Sequence, residues 1–213
     1  MAVAGRKAGM NNIEQLAAPL RPLPSQKIEI DRERAVRAAS ELLEALGVDL
    51  ATEATVETPR RMVDVYAELL DAPNGFVPTT FPNDGEYDEL VVARRIPFHS
   101  LCEHHLLPFV GVASIGYLPG ERIIGLSKLA RVVDLFARDL QVQERLTEQI
   151  AGWLDAHLQA KGLGVVLEAE HLCMTLRGVQ KPGAMTVTST LHGLLRDDPR
   201  TREEFLTLVH GRS

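Results

Sequence analysis

Apolar positions recur with a helical period in two early segments, alternate with polar ones in the middle of the chain, and then repeat that order. From Asp31 onward, Val36, Ala39, Leu43 and Leu46 fall on one helical face. Asp31 and Glu33 suit the start of that helix, and Gly47 fits a C-terminal cap. A second helix is predicted from Thr58-Pro59, with Thr58 as N-cap and proline at the first helical position. Its apolar face is Met62, Val63, Tyr66, Leu69 and Leu70, and Pro73-Asn74-Gly75 stops it.

The period then changes to two. Glu89–Ile96 and Val110–Tyr117 read as strands, followed by the turn signal Pro119-Gly120, with Ile123-Ile124 continuing the hairpin. Ser127 is expected to cap a helix with the buried stripe Leu129, Val132, Val133 and Phe136. After a break near Asp139, a helix over about Val142–Lys161 carries Val142, Leu146, Ile150, Trp153, Leu154 and Leu158, and Gly162 ends it. Strands follow at Val165–Arg177 and Met185–Leu191, with a closing helix from Thr201 to Val209. This order predicts an α+β fold with an antiparallel sheet, because neither hairpin needs a parallel crossover. Residues 1–28 show no sustained period and read as a flexible N-terminal leader. The remainder, 29–213, reads as one unit: a helical part over about 29–75 and an α+β part over about 85–213.

Composition narrows the function. The 213 residues are 45% hydrophobic and 24% charged, with a net charge of −6. An acidic balance argues against a broad nucleic-acid or anionic-membrane surface, while a local basic cluster for a small anion remains open. No apolar run approaches the roughly 20 residues a spanning helix needs, and Met1–Met10 lacks the apolar core of a secretory signal. The expected compartment is the cytoplasm.

The two cysteines, Cys102 and Cys173, then suggest metal binding more than a disulfide framework. In Cys102-Glu103-His104-His105, a thiol and an imidazole three positions apart on a turn can meet one zinc ion. Strand alternation would put His171, Cys173, Thr175 and Arg177 on one face and Leu172, Met174 and Leu176 on the other. Cys102, His105 and Cys173 then form a three-ligand site with a position open for water, and His104 points at substrate. Three alternatives stand beside this reading. They are buried core residues without a metal, a Cys102–Cys173 disulfide, and a closed structural zinc completed by His104 or His171.

Ser127-Lys128-Leu129-Ala130-Arg131 opens a predicted helix, where free N–H groups and two cations on one face favour an anion. An ordinary capped helix with solvated charges fits equally. Arg177 and Arg61 are further anion candidates. Glu144, beside Gln143 at the start of the long helix, is either a first-turn charge or a guanine clamp that accepts from ring N1–H and the 2-amino group. No P-loop, nucleophile elbow or zinc-deaminase pattern is present.

Taken in order, several segments resemble those of the GTP cyclohydrolase I family. They are Cys102-Glu103-His104-His105, Gly125-Leu126-Ser127-Lys128-Leu129-Ala130-Arg131, Gln141-Val142-Gln143-Glu144-Arg145-Leu146-Thr147, Arg177-Gly178-Val179-Gln180-Lys181 and Thr201-Arg202-Glu203-Glu204-Phe205-Leu206. The resemblance implies the tunnelling fold, in which subunits close antiparallel sheets into an oligomeric barrel. It implies a homodecamer, a dimer of pentamers, with sites between subunits. It implies Zn2+ on Cys102, His105 and Cys173, and proton transfer by His104 and His171. Guanine would be anchored by Glu144 and Gln143, and the triphosphate held by Ser127, Lys128, Arg131, Arg177 and Arg61. The implied reaction is hydrolysis of GTP at guanine C8 with formate release and rearrangement to 7,8-dihydroneopterin triphosphate, the first step of tetrahydrofolate and pterin synthesis. The sequence departs from the family pattern at Asp139-Leu140 and at His192, neither of which is a proposed ligand.

Overall fold

The computed structural model describes residues 29–73 and 77–211, so the leader and the stop at Asn74-Gly75 lie outside the described residues. In chain order the elements begin with α1 (Arg32–Ala45), α2 (Thr58–Leu69), β1 (Thr80–Pro82) and β2 (Val91–Cys102). Next come β3 (Pro108–Leu118), β4 (Arg122–Ile124), α3 (Leu126–Ala137), β5 (Leu140–Gln141) and α4 (Gln143–Leu158). The chain closes with β6 (Gly162–His171), α5 (Leu172–Thr175), β7 (Met185–Gly193), α6 (Leu194–Asp197) and α7 (Pro199–His210). The class is α+β, as the alternating periods predict.

The main sheet runs β5-β2-β3-β6-β7. Its long ladders are antiparallel, but β5 lies parallel to β2 through Leu101↔Leu140 and Cys102↔Gln141. The sheet is therefore mixed rather than purely antiparallel. That two-residue pairing is short, yet it ties the end of β2 to the segment entering α4. Ile123 and Ile124 do not extend the β2–β3 hairpin; they pair with Phe81 and Thr80 of β1.

One sheet face carries the core. Phe109, Ala113 and Ile115 of β3 and Leu163, Val165, Leu167 and Ala169 of β6 alternate inward against Leu129, Val132 and Val133 of α3 and Leu146, Ile150 and Leu154 of α4. At one end the opposite face is covered by α6 and α7, through Val166, Leu195, Phe205 and Val209. Phe205 needs small neighbours: a Cβ at either Gly116 or Gly164 would come within 2.6 Å of its ring. Losing that buried ring would cost about 3–5 kcal/mol. Toward the other end the same face stays open, with Val110, Met185 and Val187 all more than half exposed. The helical pair α1–α2 is thinly buried; Leu46 and Leu70, expected on apolar faces, stand 70% and 39% exposed.

Several boundaries differ from the sequence reading, each for a local reason. The strand expected over Val165–Arg177 ends at His171, and residues 172–175 form one helical turn. The last β3–β6 pair is Phe109↔His171, so the next partner would be Pro108, which has no N–H to donate. Thr175 Oγ1 instead bonds His171 O at 3.2 Å, and Lys181 N bonds Met174 O at 2.9 Å. The strand alternation proposed for His171, Cys173, Thr175 and Arg177 therefore does not hold. Helix α3 starts at Leu126 with Gly125 as N-cap in an extended conformation, so Ser127 lies inside the first turn and makes no cap bond. Helix α4 ends in a left-handed cap at Gln159, not at Gly162. Gly162 serves close packing, since a Cβ there would stand 2.9 Å from Leu195 N. At the second helix the N-cap is Glu57, one residue before Thr58.

Candidate metal centre and its surroundings

The turn after β2 brings its side chains to one side by accepting two bonds at Cys102 O, from His105 N at 3.2 Å and Leu106 N at 2.9 Å. Leu106 closes the turn with φ +54°. Cys102 N bonds Leu107 O, and Leu101 N and Glu103 N reach Asp139 O and Gln141 O on the β5 segment. The turn is thus anchored on both flanks. The single turn of α5 carries Cys173 to the same point.

Cys102 Sγ lies 3.7 Å from His105 Nδ1 and 3.9 Å from Cys173 Sγ. The ligand atoms of Cys102, His105 and Cys173 all fall within 4.8 Å of one another. With Zn–S of about 2.3 Å and Zn–N of about 2.0–2.1 Å, a tetrahedral shell has S···S edges of about 3.8 Å and S···N edges of about 3.6 Å. The Cys102–His105 and Cys102–Cys173 separations match those edges, and the donor types suit zinc. Both cysteines are free thiols, with no disulfide between them. The Cys173 thiol is pushed up by burial first and then by the adjoining Cys102 sulfur, with Arg177 acting in the opposite sense. Two sulfurs this close resist joint ionisation, and a cation between them relieves that.

Around the triad stand two further histidines. His104 is exposed, with Nδ1 3.8 Å from Cys102 Sγ and Nε2 4.0 Å from Glu103 Oε1. His171 is half-buried. Its ring stacks on Phe109 at 4.6 Å with planes 5° apart, and Nε2 lies 2.8 Å from Gln143 Oε1. Burial lowers the His171 pKa, and the nearby Glu144 carboxylate partly restores it. Glu144, in the first turn of α4, is near enough to His171 to act on its ionisation.

Gln143 is the residue expected beside Glu144 at guanine. Its side chain is buried, and its amide nitrogen donates to Leu167 O at 3.1 Å and Thr186 O at 2.9 Å. Both amide hydrogens are spent inside the protein, and the oxygen is met by His171. Below Glu144, a cleft of about 270 Å³ is lined by Glu144, Thr147, Glu148, Thr188, Ser189 and Thr190. Drug-sized ligands occupy on the order of 300–1,000 Å³, so this cleft suits a base better than a whole nucleotide. A larger hollow of about 440 Å³ runs along α7 beside Pro199, Leu206 and His210, away from the ligand triad.

The anion candidates separate into two groups. Arg177 lies near enough to Cys173 to act on its ionisation. Arg61 is exposed on α2, a helix held beside the metal turn by a Tyr66 hydroxyl bond to Leu106 O at 3.3 Å. Ser127, Lys128 and Arg131 are elsewhere. They open α3, whose far end leads into β5 beside Cys102. Twelve helical residues span about 18 Å, which sets the start of α3, with Ser127 and Lys128, apart from the end that leads toward Cys102, while Arg131 stands midway along the helix.

With that geometry in view, the family model described as GTP cyclohydrolase I matches residues 35–210. The chain belongs to the GTP cyclohydrolase I family of enzymes. Among curated relatives, GTP cyclohydrolase 1 of Aquifex aeolicus is 50% identical over 182 residues, covering 85% of this chain and 98% of that one. GTP cyclohydrolase 1 of Corynebacterium glutamicum is 49% identical over 189 residues, covering 86% and 95%. The rat protein of the same name is 45% identical over 197 residues, covering 89% and 80%. No helix among the described residues is long and apolar enough to cross a membrane.

The sequence reading assigned no role to Glu103 or Arg145, which are joined by a 2.6 Å contact, or to the Thr188–Thr190 wall of the cleft. Arg145 carried one available signal: it stands four residues from Gln141, the helical spacing at which side chains meet.

Proposed function

We propose that this chain hydrolyses GTP at guanine C8, releases formate and rearranges the remainder to 7,8-dihydroneopterin triphosphate, using zinc on Cys102, His105 and Cys173. The observation that carries the proposal is the convergence of Cys102, His105 and Cys173, whose ligand atoms all lie within 4.8 Å of one another, with His171 and Glu144 nearby. Zinc held by Cys102, His105 and Cys173 would supply the Lewis acidity that makes water nucleophilic near neutral pH.

The protein groups supply the rest. Glu144 accepts from guanine N1–H and the 2-amino group at the mouth of the cleft, a two-point match adenine lacks. His104 gives a proton to N7, which makes C8 electrophilic. His171, held by Phe109 and Gln143, moves protons during ring opening and ribose rearrangement. The ribose carbons then close the pyrazine ring of the product.

The triphosphate is held by Arg177 and Arg61, and by Ser127, Lys128 and Arg131 of a second copy. The length of α3, which sets its start about 18 Å from the end leading into β5, supports that division. The open edge of β7 and the exposed Val110, Met185 and Val187 support assembly of copies through the sheet. The proposed assembly is a barrel of the tunnelling type, a decamer made of two pentamers, working in the cytoplasm at the entry to tetrahydrofolate and pterin synthesis. Incubation with GTP, scored for formate and an oxidised pterin, tests the reaction. Neither product from zinc-loaded protein that binds GTP would reject it.

One observation favours a second reading. His104 Nδ1 lies 3.8 Å from Cys102 Sγ, against 3.7 Å for His105, although His104 falls outside the group whose ligand atoms all lie within 4.8 Å of one another. A four-ligand structural zinc would use it. Cobalt substitution separates the two: exchangeable water in the cobalt shell supports the catalytic site, and its absence supports the closed one.

A further inference from the structure

We infer that Arg145 is a positioning residue for the metal turn, acting through Glu103; this rests on the zinc-site reading above. Glu103 stands between Cys102 and His105 in the chain. Its Oε2 accepts from Arg145 Nη2 at 2.6 Å, while its Oε1 looks toward His104 Nε2 at 4.0 Å. One carboxylate therefore spans from the α4 helix to the imidazole beside a metal ligand.

Arg145 is itself held on two other sides. Its Nε donates to Gln141 Oε1 at 3.0 Å and its Nη2 to Leu140 O at 2.8 Å. Gln141 is buried, and its amide nitrogen donates to Phe136 O and Gln149 Oε1, each at 2.9 Å. Those two bonds settle the amide orientation, so Gln141 Oε1 must face Arg145 as an acceptor. The guanidinium is thereby fixed to β5 and the end of α3 before it reaches Glu103. Main-chain bonding runs alongside, since Glu103 N donates to Gln141 O at 3.1 Å.

The Arg145 and Glu103 side chains are 29% and 34% exposed. An ion pair that wet adds little to global stability. Its consequence is local: it fixes the rotation of a tight turn from which one thiolate and one imidazole must meet a single ion. Outer partners of this kind typically change metal affinity by about 10–100-fold when removed. A guanidinium is suited to the task because its planar fork serves Glu103, Gln141 and Leu140 together, which an ammonium cannot.

The test measures zinc affinity of the full-length protein by competition with a chromophoric chelator, together with the thermal midpoint of the metal-free protein. Arg145→Met and Glu103→Gln should each weaken zinc binding about 10–100-fold with little change in the metal-free midpoint. Arg145→Lys should recover only part of the loss. The double variant should be no worse than the weaker-binding single one, because the two residues act as one unit. Wild-type zinc affinity in both single variants, or losses that simply add, would overturn the inference. A raised KM for GTP with unchanged zinc affinity would also overturn it, making Arg145 a substrate contact. If Arg145→Met fails to fold, the isosteric Glu103→Gln carries the test. A wild-type protein that binds no zinc would instead reject the metal reading itself.

Discussion

Gln143 and His171 are joined by one bond of 2.8 Å whose direction the surroundings dictate. The Gln143 amide nitrogen already donates to Leu167 O and Thr186 O, so its oxygen accepts and His171 Nε2 carries the hydrogen. Nδ1 is then the nitrogen that would serve the proton transfer proposed for His171. Gln143→Met keeps the volume and removes the bond. It should lower kcat by roughly ten- to a hundredfold while KM for GTP changes little. Steady-state kinetics on zinc-loaded protein checks this; a raised KM at unchanged kcat would return Gln143 to the role of a substrate contact.

Glu144 sits at the first turn of α4, exposed, beside a cleft walled by threonines. Hydrogen bonds to a charged group are worth about 1.5–3 kcal/mol. Glu144→Gln should therefore reduce kcat/KM for GTP by roughly ten- to a hundredfold and narrow the preference for GTP over ATP in a binding competition. Unchanged selectivity would remove Glu144 from base recognition.

The length of α3, whose start is set apart from the end near Cys102, has its own consequence. If a site takes Lys128 from one copy and Cys102 from another, Lys128→Ala and Cys102→Ser should each be nearly inactive alone. Unfolded together and refolded as mixed oligomers, they should regain part of the activity, because some sites receive both intact halves. No recovery in demonstrably mixed oligomers would mean each chain supplies its own phosphate cluster.

Asp198 caps α7 by accepting from Arg200 N, Thr201 N and Thr201 Oγ1, and these bonds hold its carboxyl below the ordinary value of 3.8. A lowered folded-state pKa means the unfolded chain takes up the proton first. The contribution is fully present above the ordinary carboxylate range and is lost as pH falls through the depressed value. Asp198→Ala should lower the thermal midpoint at neutral pH, and the gap should shrink at about pH 3. A gap that does not depend on pH would assign the loss to something other than the ionised cap.

The parts of the fold readable in advance were those where period and punctuation agree. The stripe Leu129, Val132, Val133 and Phe136 is buried as expected, and so are Leu146, Ile150 and Leu154. The Cys-Glu-His-His turn was legible because short-range spacing on a turn decides which side chains converge. The approach of Cys173 was not legible by alternation. A proline on the neighbouring strand ends β6 at His171, and only the pairing register puts Pro108 opposite that point. The same non-local cause hid Arg145, whose partner Glu103 is 42 positions away. Ser127 looked like a cap because its residue type favours that position; glycine took the place one turn edge earlier.

The most direct measurement uses GTP labelled with carbon-13 at C8. Zinc-loaded protein should release the label as formate in equal amount to the dihydroneopterin triphosphate formed. Chelation should abolish both products, zinc should restore them, and Cys173→Ser should yield neither. Label remaining in a purine or pterin product, or full formate release from protein verified to be metal-free, would contradict the account.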